Sequence, residues 1–403
     1  MKSVAEYKAL CLSVSKALPP FAVNLAGALG CVLAQDVVSF ADLPVRDTVL
    51  IEGYAVRSAD LRGASAVNPV KVPVIATVVA GSPEEYVVVE KTAIRVAAGV
   101  PLPQGADCVV PLRATDSGVL EVSLAAELSA GENVRARASD LAAGEVILQK
   151  GLRISSRHIA ILAAAGHDTV MVHPKPRVVI MAIGNGLQDP GRSAQPGMVF
   201  DANSHAIASA AADAGADVFR VGVVGDDPIR LREILEDQLV RADILITTGG
   251  IGNDGSDTLK HLLESINSVH FDRVAMSDGL TLGVGKLDNT SLFALPGNPV
   301  SALSCFEVFI RPALRQMAGY SHIERRSLLA KIQKGWHSLR GSREFVPAKV
   351  AGSTAAGYTA RPLGEPGVKS LSDLSKANCF IILPEEIEHL GIGDFVECIA
   401  LDR

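Results

Sequence analysis

The sequence predicts a multi-domain α/β + β protein. It combines an α/β domain on a mostly parallel sheet, a β-rich inserted domain, a discontinuous linker domain and a C-terminal β-barrel. Three observations carry this expectation. Residues 175–319 alternate apolar β-branched runs with helical patterns, as a parallel sheet covered by helices requires. From Asp36 to about Ala130 short β-prone runs are separated by Gly and Pro. A chain of 403 residues is also too long for one core and points to two to four domains.

Bulk composition narrows the function classes. Hydrophobic residues make up 48% and charged residues 20%, as in a globular protein that buries much surface. The formal net charge of −6 argues against nucleic acid or an acidic membrane surface as partner. No apolar stretch reaches the length of a membrane span, and MKSVAEYKALCLSVSKAL lacks the long apolar core of a signal peptide. The six cysteines lie far apart with no CxxC, so reduced thiols and a cytoplasmic location are expected. The histidines are dispersed, and no zinc site is visible.

Taken in order, Tyr7, Leu10, Leu12, Val14 and Leu18 fit a helical stripe ended by Pro19-Pro20. VVSFADLP, KVPVIATVVAG, TAIRVAAG and ADCVVPL read as short strands. From Gly131 the chain turns polar, then SSRHIAILAAAG forms a helix with Ser155 or Ser156 as N-cap and Gly166 as stop. This helix matches the first in texture. Residues 1–40 and 131–174 are therefore expected to form one discontinuous linker domain, with 41–130 inserted between. In 175–319 the strands are RVVIMAI, DVFRVGVV, ADILITT, SVHF and SLFALP. NSHAIASAAADAG is a helix capped by Asn203 or Ser204 and stopped by Gly215; PIRLREILEDQLVRA starts on Pro228. Residues 320–403 lack long helices and close on FIILP and DFVECIAL, the pattern expected of the barrel.

Open α/β sheets bind ligands beyond the carboxyl ends of their strands. The loops to weigh are therefore 183–202, 224–228, 248–258 and 295–299. In TTGGIGNDGSDTLK the glycines permit tight backbone, and a helix starting near Ser256 or Asp257 would aim its first amides at an anion. Gly250, Gly252 and Gly255 also match a dinucleotide fingerprint, with Asp272 placed to hold a ribose. Against that, the strand is not the first of its unit, and Asp254 and Asp257 would repel a pyrophosphate; a merely structural turn is the third reading. In LPGNPVSAL, Asn298 is a good N-cap and Pro299 suits the first helical position. Asp226 and Asp227 sit where a helix dipole favours acids, with or without a metal. AIGNGLQDPG carries no acid, base or metal ligand between Gly184 and Asp189. Asp47, Glu52, Arg135, Arg137 and Asp140 lie in the earlier segments; acids with arginines would suit Mg²⁺, a phosphate and an oxyanion.

DLPVRDTVLIEGYAVRSADL, PLPQGADCVVPL, ENVRARASDLAAGEVILQKG, TTGGIGNDGSD and LPGNPVSAL, in this order and spacing, resemble the molybdopterin molybdenumtransferases, MoeA and the gephyrin E domain. The resemblance spans nearly the whole chain. It implies a MogA-like α/β molybdopterin-binding domain over 175–319 and a barrel over 320–403. It also implies an elongated homodimer with its active site at the interface. The implied reaction inserts molybdate into adenylylated molybdopterin with Mg²⁺, releasing AMP; the upstream molybdopterin adenylyltransferase is a further implied partner. Carried over by position, Glu52, Asp140, Asp226 and Asp257 would be catalytic, with Glu52, Asp226 and Asp257 on the metal. Gly184, Thr248, Gly249, Gly250, Pro296, Gly297, Asn298, Pro299, Ser301 and Arg137 would hold the substrate.

Several positions depart from the family. Its Asp-Gly-Tyr-Ala reads Glu52-Gly53-Tyr54-Ala55, its Ser-Val-Gly reads Gly252-Asn253-Asp254, and its Gly-Asp-Glu-Leu reads Gly184-Asn185-Gly186-Leu187. Its Lys-Pro-Gly-Lys-Pro reads Ser277-Asp278-Gly279-Leu280-Thr281, so both lysines are missing. The arginine two residues after the barrel's Arg-Glu-Phe becomes Pro347, while Arg343 stays, and the serine near the end falls on Val368. Each lost charge-assisted contact costs a ligand about 1.5–3 kcal/mol. Two functions stay open: an active transferase with a rearranged site, or a catalytically impaired paralogue that binds molybdopterin or a partner protein without metal insertion.

Overall fold

A computed structural model describes residues 1–401 apart from 83–85, 192, 194, 253–256, 267 and 278. Its centre is a six-stranded sheet in the order Asp217–Val224, Arg177–Ile183, Ile244–Thr248, Thr290–Leu295, Leu280–Leu287, Val269–Val274. The first four strands pair in parallel and the last two antiparallel. RVVIMAI has an apolar residue at nearly every position because both faces are covered. Val178 and Ile180 pack with Ile207, Phe306 and Phe309 on one side; Val179, Met181 and Ile183 pack with Leu231, Leu235, Leu259 and Leu263 on the other.

The first helix, Val4–Val14, differs from expectation in its address. Instead of joining the linker domain, it seats Val4, Tyr7 and Cys11 in the α/β core. Tyr7 meets the Phe309 ring edge-on at 5.0 Å and 81°. Ser291 Oγ donates to the Val14 carbonyl at 2.7 Å, and Gln316 Nε2 donates to the carbonyls of Leu12 and Ser15 at 2.9 and 2.8 Å. A single stripe of apolar residues fixes that a helix docks, not where, so its likeness to the later helix does not set its partner.

The linker sheet joins Phe21–Asn24, Thr169–His173 and Val32–Leu33, with the helix Ser156–Ala164 closing its core. Ser155 caps that helix in a reciprocal capping box with His158. The inserted piece is a five-stranded sheet in the order Cys108–Pro111, Gly53–Val56, Ala93–Val96, Val70–Val78, Glu121–Leu124. The closed barrel runs Ser327–Ile332, Gly357–Pro362, Glu344–Ser353, Cys379–Leu383, Phe395–Ala400. A ribbon of Trp336–His337 and His389–Leu390 stands beside it. Glu307, half-buried in the α/β domain, ties on the barrel's first segment: Arg325 donates to both its oxygens at 2.9 and 3.0 Å. Burial, and then the neighbouring Arg325, lowers the Arg311 guanidinium to about 10.

Two local expectations fail for identifiable reasons. Leu280–Leu287 is a strand that the sequence pattern does not announce, because Gly283 and Gly285 interrupt its apolar run. A Cβ at Gly285 would lie 2.1 Å from the Ser268 carbonyl oxygen, so close pairing with the edge strand dictates that glycine. The helix Asn203–Asp213 is capped neither by Asn203 nor by Ser204 but by Asp201, whose carboxylate accepts from the Ser204 amide and hydroxyl. All six cysteines are buried as free thiols. Among the described residues no helix is long and apolar enough to cross a membrane.

The docking of the first helix has a direct check. Tyr7→Ala is expected to lower unfolding free energy by about 3–5 kcal/mol in denaturant titration, the range for removing a buried aromatic ring. A change below about 1 kcal/mol would place the helix outside the core.

Candidate functional site

The parallel strands end side by side, and their carboxyl-end loops meet there. The in-register pairs Ile183–Val224, Ala182–Thr248 and Thr248–Leu295 bring 184–188, 225–228, 249–252 and 296–299 to one edge of the sheet. Backbone bonds tie two of these loops to the ends of neighbouring strands: the Gly184 amide donates to the Val224 carbonyl at 3.0 Å and the Gly249 amide to the Leu295 carbonyl at 3.1 Å. Gly249 has φ +83°, and a Cβ on it would stand 2.4 Å from the Ile183 carbonyl oxygen. The approach of this loop to the neighbouring strand therefore requires glycine.

Around this edge the glycines 249, 250, 252, 279 and 297, with Thr281 and Pro296, enclose a cleft of about 390 Å³. Asn298 caps the helix Pro299–Cys305 by accepting from the Ser301 amide at 3.1 Å. Asn203 reaches over from the preceding helix and donates to the Gly297 carbonyl at 2.8 Å. Thr248 Oγ1, Ser301 Oγ and Asn203 Oδ1 are buried and find no partner within the described chain. Buried polar atoms are normally satisfied, so orphaned groups on the segments that carry Gly249 and Gly297 are candidates for contact with a polar ligand.

The acidic residues are distributed differently. Asp227 caps its helix through the Arg230 amide at 2.8 Å. Asp226 pairs reciprocally with Asn185: the Asn185 amide donates to the Asp226 carboxylate at 3.1 Å, and the Asp226 amide donates to Asn185 Oδ1 at 3.0 Å. Asp257 is buried at the start of the helix Thr258–Ser265. Glu52, on the inserted sheet, is paired with Arg95 at 3.3 Å. Asp140 holds Arg135 at 2.8 Å; Arg137 donates to Asp42 at 2.5 Å and its amide to Asp47 at 2.7 Å. The Asp42 carboxyl is held below its usual range by the Ala143 amide and then by Arg137. Glu52, Arg137 and Asp140 thus find their partners within 42–140, away from the sheet edge.

Glu52, Asp226 and Asp257 do not gather into a three-carboxylate magnesium site within one chain. Among the described residues one trio, Asp189, Asp201 and His205, brings three potential ligand atoms within 4.8 Å of one another. A cation already serves it: Arg220 donates to Asp189 at 3.0 Å and lies 3.7 Å from Asp201. Asp201 is not singled out by the sequence reading and Asn203 enters it only as a helix cap, although an acid two residues before a small-residue helix is a capping signal.

Asp272, the proposed ribose acid, stands on the edge strand Val269–Val274 and accepts from Lys2 Nζ at 2.7 Å. That pairing removes the support for a dinucleotide site. Asn253, Asp254, Gly255, Ser256 and Asp278 lie outside the described residues. At the barrel, Pro347 lies on the strand Glu344–Ser353, Val368 is exposed, and Arg343 donates to Glu385 at 3.1 and 2.9 Å.

Comparison with known proteins covers the chain from end to end. Residues 2–166 match the MoeA N-terminal region (domain I and II), 179–316 a probable molybdopterin binding domain, and 330–401 the MoeA C-terminal region (domain IV). Molybdopterin molybdenumtransferase 1 of Mycobacterium tuberculosis is 36% identical over 422 residues, covering 100% of this chain and 99% of that one. Molybdopterin molybdenumtransferase 2 of the same species is 36% identical over 401 residues, with 98% of each chain covered. Two crystal structures of the molybdopterin biosynthesis MoeA protein from Pyrococcus horikoshii are 26% identical, with TM-scores of 0.83 and 0.77. They cover 99% of this chain and 98% and 100% of theirs.

The geometry of the glycine loop can be tested without a ligand. Gly249→Ala is expected to destabilise the protein by about 2 kcal/mol or more, combining positive-φ strain with the overlap on Ile183. A loss under about 0.5 kcal/mol would mean that the loop does not approach the strand as described.

Proposed function

The chain belongs to the MoeA family of molybdopterin molybdenumtransferases, a transferase family of molybdenum cofactor biosynthesis, and on that premise we propose that it inserts molybdate into adenylylated molybdopterin, releasing AMP. The observation that carries this reading is the cleft at the sheet edge, lined by the glycine loops 249–252 and 296–297, with the unsatisfied groups of Thr248, Asn203 and Ser301 on the segments next to it. Gly184, Gly249, Gly250, Pro296 and Gly297 let backbone approach the pterin-phosphate end. Asn298 and Pro299 fix the helix start, and the Thr248 and Ser301 hydroxyls donate to phosphate oxygens. Asp226 and Asp257 border the reacting end.

Mg²⁺ would screen phosphate and molybdate charge. The carboxylates of one chain do not assemble a site for it. Completing the carboxylate set needs Glu52, Asp140 and Arg137 from a second copy, which is why a homodimer is part of the proposal.

Specific residues favour a second reading, in which substrate binds without metal insertion. Asn185-Gly186 stands where the resemblance places two acids, and Pro347 and Val368 stand where it places an arginine and a serine. Backbone and hydroxyl contacts survive these changes; contacts to an oxyanion do not.

Complementation of a strain lacking its own molybdenumtransferase separates the two. Growth dependent on a molybdoenzyme is expected, restored fully only with added molybdate. Failure at both ordinary and millimolar molybdate would overturn the transferase reading. Asp226→Asn is expected to abolish rescue while leaving thermal stability nearly unchanged, since the amide still accepts from Asn185. Full rescue by this variant would remove Asp226 from the site.

A further inference from the structure

The interior of the barrel brings two cysteines together. Cys379 opens the strand Cys379–Leu383, and Cys398 lies on the neighbouring strand Phe395–Ala400. Their antiparallel register sets Cys379 opposite Ala400 and Ile381 opposite Cys398. Both thiols therefore point to the same face of the ladder, one diagonal step apart. They lie in the barrel core with Val346, Ala348 and Val396, and neither is exposed. The Cys398 thiol donates to the Cys379 sulfur, and Cys379 Sγ donates in turn to the Ala348 carbonyl at 3.4 Å. That carbonyl also accepts from the Asn378 amide at 3.0 Å, so it keeps a partner when the Cys379 proton leaves.

The other four cysteines lack this arrangement. Burial pushes Cys11 and Cys108 up to about 12 and raises Cys31 and Cys305 as well. The hydrogen bond from Cys398 instead holds Cys379 below the ordinary thiol range, while it raises Cys398 itself. Cys379 is thus the sulfur that most readily becomes a thiolate, and Cys398 stands against it. Diagonal partners across a ladder have Cα atoms about 7–8 Å apart, at the outer limit of a disulfide. Bridging them draws the two strands closer, and strained disulfides are the readily reduced ones.

We propose that Cys379 and Cys398 form an oxidation site, at which a peroxide closes a reversible disulfide across the barrel while the other four thiols stay reduced. The Cys379 sulfur attacks one oxygen of hydrogen peroxide and the O–O bond breaks. The departing hydroxide takes up the Cys379 proton as water, leaving a sulfenic acid. The Cys398 sulfur then attacks that sulfur, the S–O bond breaks, and the second hydroxide leaves as water with the Cys398 proton. Two thiols and one peroxide give one disulfide and two waters; the sulfurs lose two electrons and the peroxide gains them. Because both thiols are buried, the oxidant has to be small and uncharged, and local opening of the strand Phe395–Ala400 admits it. Neither sulfur lines the cleft at the sheet edge, so the site is independent of the transferase reading.

The full chain, freed of reductant, is treated with hydrogen peroxide, alkylated with N-ethylmaleimide in denaturant, digested and mapped by mass spectrometry. Peptides joined through Cys379 and Cys398 are expected as the dominant product, with Cys11, Cys31, Cys108 and Cys305 alkylated. Dithiothreitol is expected to restore both thiols. Cys398→Ala is expected to leave Cys379 as a sulfenic acid that dimedone traps, and Cys379→Ala to leave Cys398 unoxidised at the same dose. Alkylation of all six cysteines after peroxide would overturn the proposal. So would a disulfide between any other pair in equal yield, or oxidation of Cys379 beyond the sulfenic acid without a bond to Cys398. The mapping is read on the unaltered chain and decides the matter even where a variant fails to fold. Selectivity is expected to vanish in urea; its persistence there would overturn the barrel register as the cause of pairing.

Discussion

The organisation of this protein depends on the register of the buried strand Arg177–Ile183. It lies between Asp217–Val224 and Ile244–Thr248, hydrogen-bonded to both, with Val178 and Ile180 facing one core and Val179 and Met181 the other. A slip of one residue would exchange the two apolar sets and sever both ladders at once. The register therefore holds Gly184 against Val224 and carries the glycine loop to within backbone contact of Ile183. Everything at the sheet edge inherits its position from that pairing.

Neutral residues stand at several places where the resemblance puts charged ones, on a backbone that keeps the family's fold. The turn at Asn185-Gly186 keeps a tight connection to its neighbour because an amide side chain both donates and accepts toward Asp226. An aspartate at position 185 would face Asp226 with like charge, so the neutral residue relieves a repulsion as well as removing a ligand. The barrel side shows the same pattern, since Pro347 and Val368 turn a wall apolar without disturbing the closed sheet.

Much of this was legible in the sequence because local chemistry dictated it. Asp227-Pro228, Asn298-Pro299 and Ser155 each start a helix where a cap followed by a helical first turn requires. The rule that ligands sit beyond parallel strand ends picked out the loops that meet. What escaped were choices between distant surfaces. The stripe of Val4, Tyr7 and Cys11 carries no address, and the strand Leu280–Leu287 is punctuated by glycines whose reason is a neighbour's backbone. Cys379 and Cys398 meet because the barrel pairs their strands, which no spacing in the sequence shows.

The central claim is that a scaffold stripped of several charges still couples metal insertion to loss of the nucleotide. It is tested most directly by supplying the purified chain with adenylylated molybdopterin and measuring AMP release against molybdate concentration. Release in step with molybdenum incorporation, half-maximal at higher molybdate than for the Mycobacterium tuberculosis relatives, is the expected result. Tight retention of the adenylylated pterin with no AMP released at any molybdate concentration would contradict it.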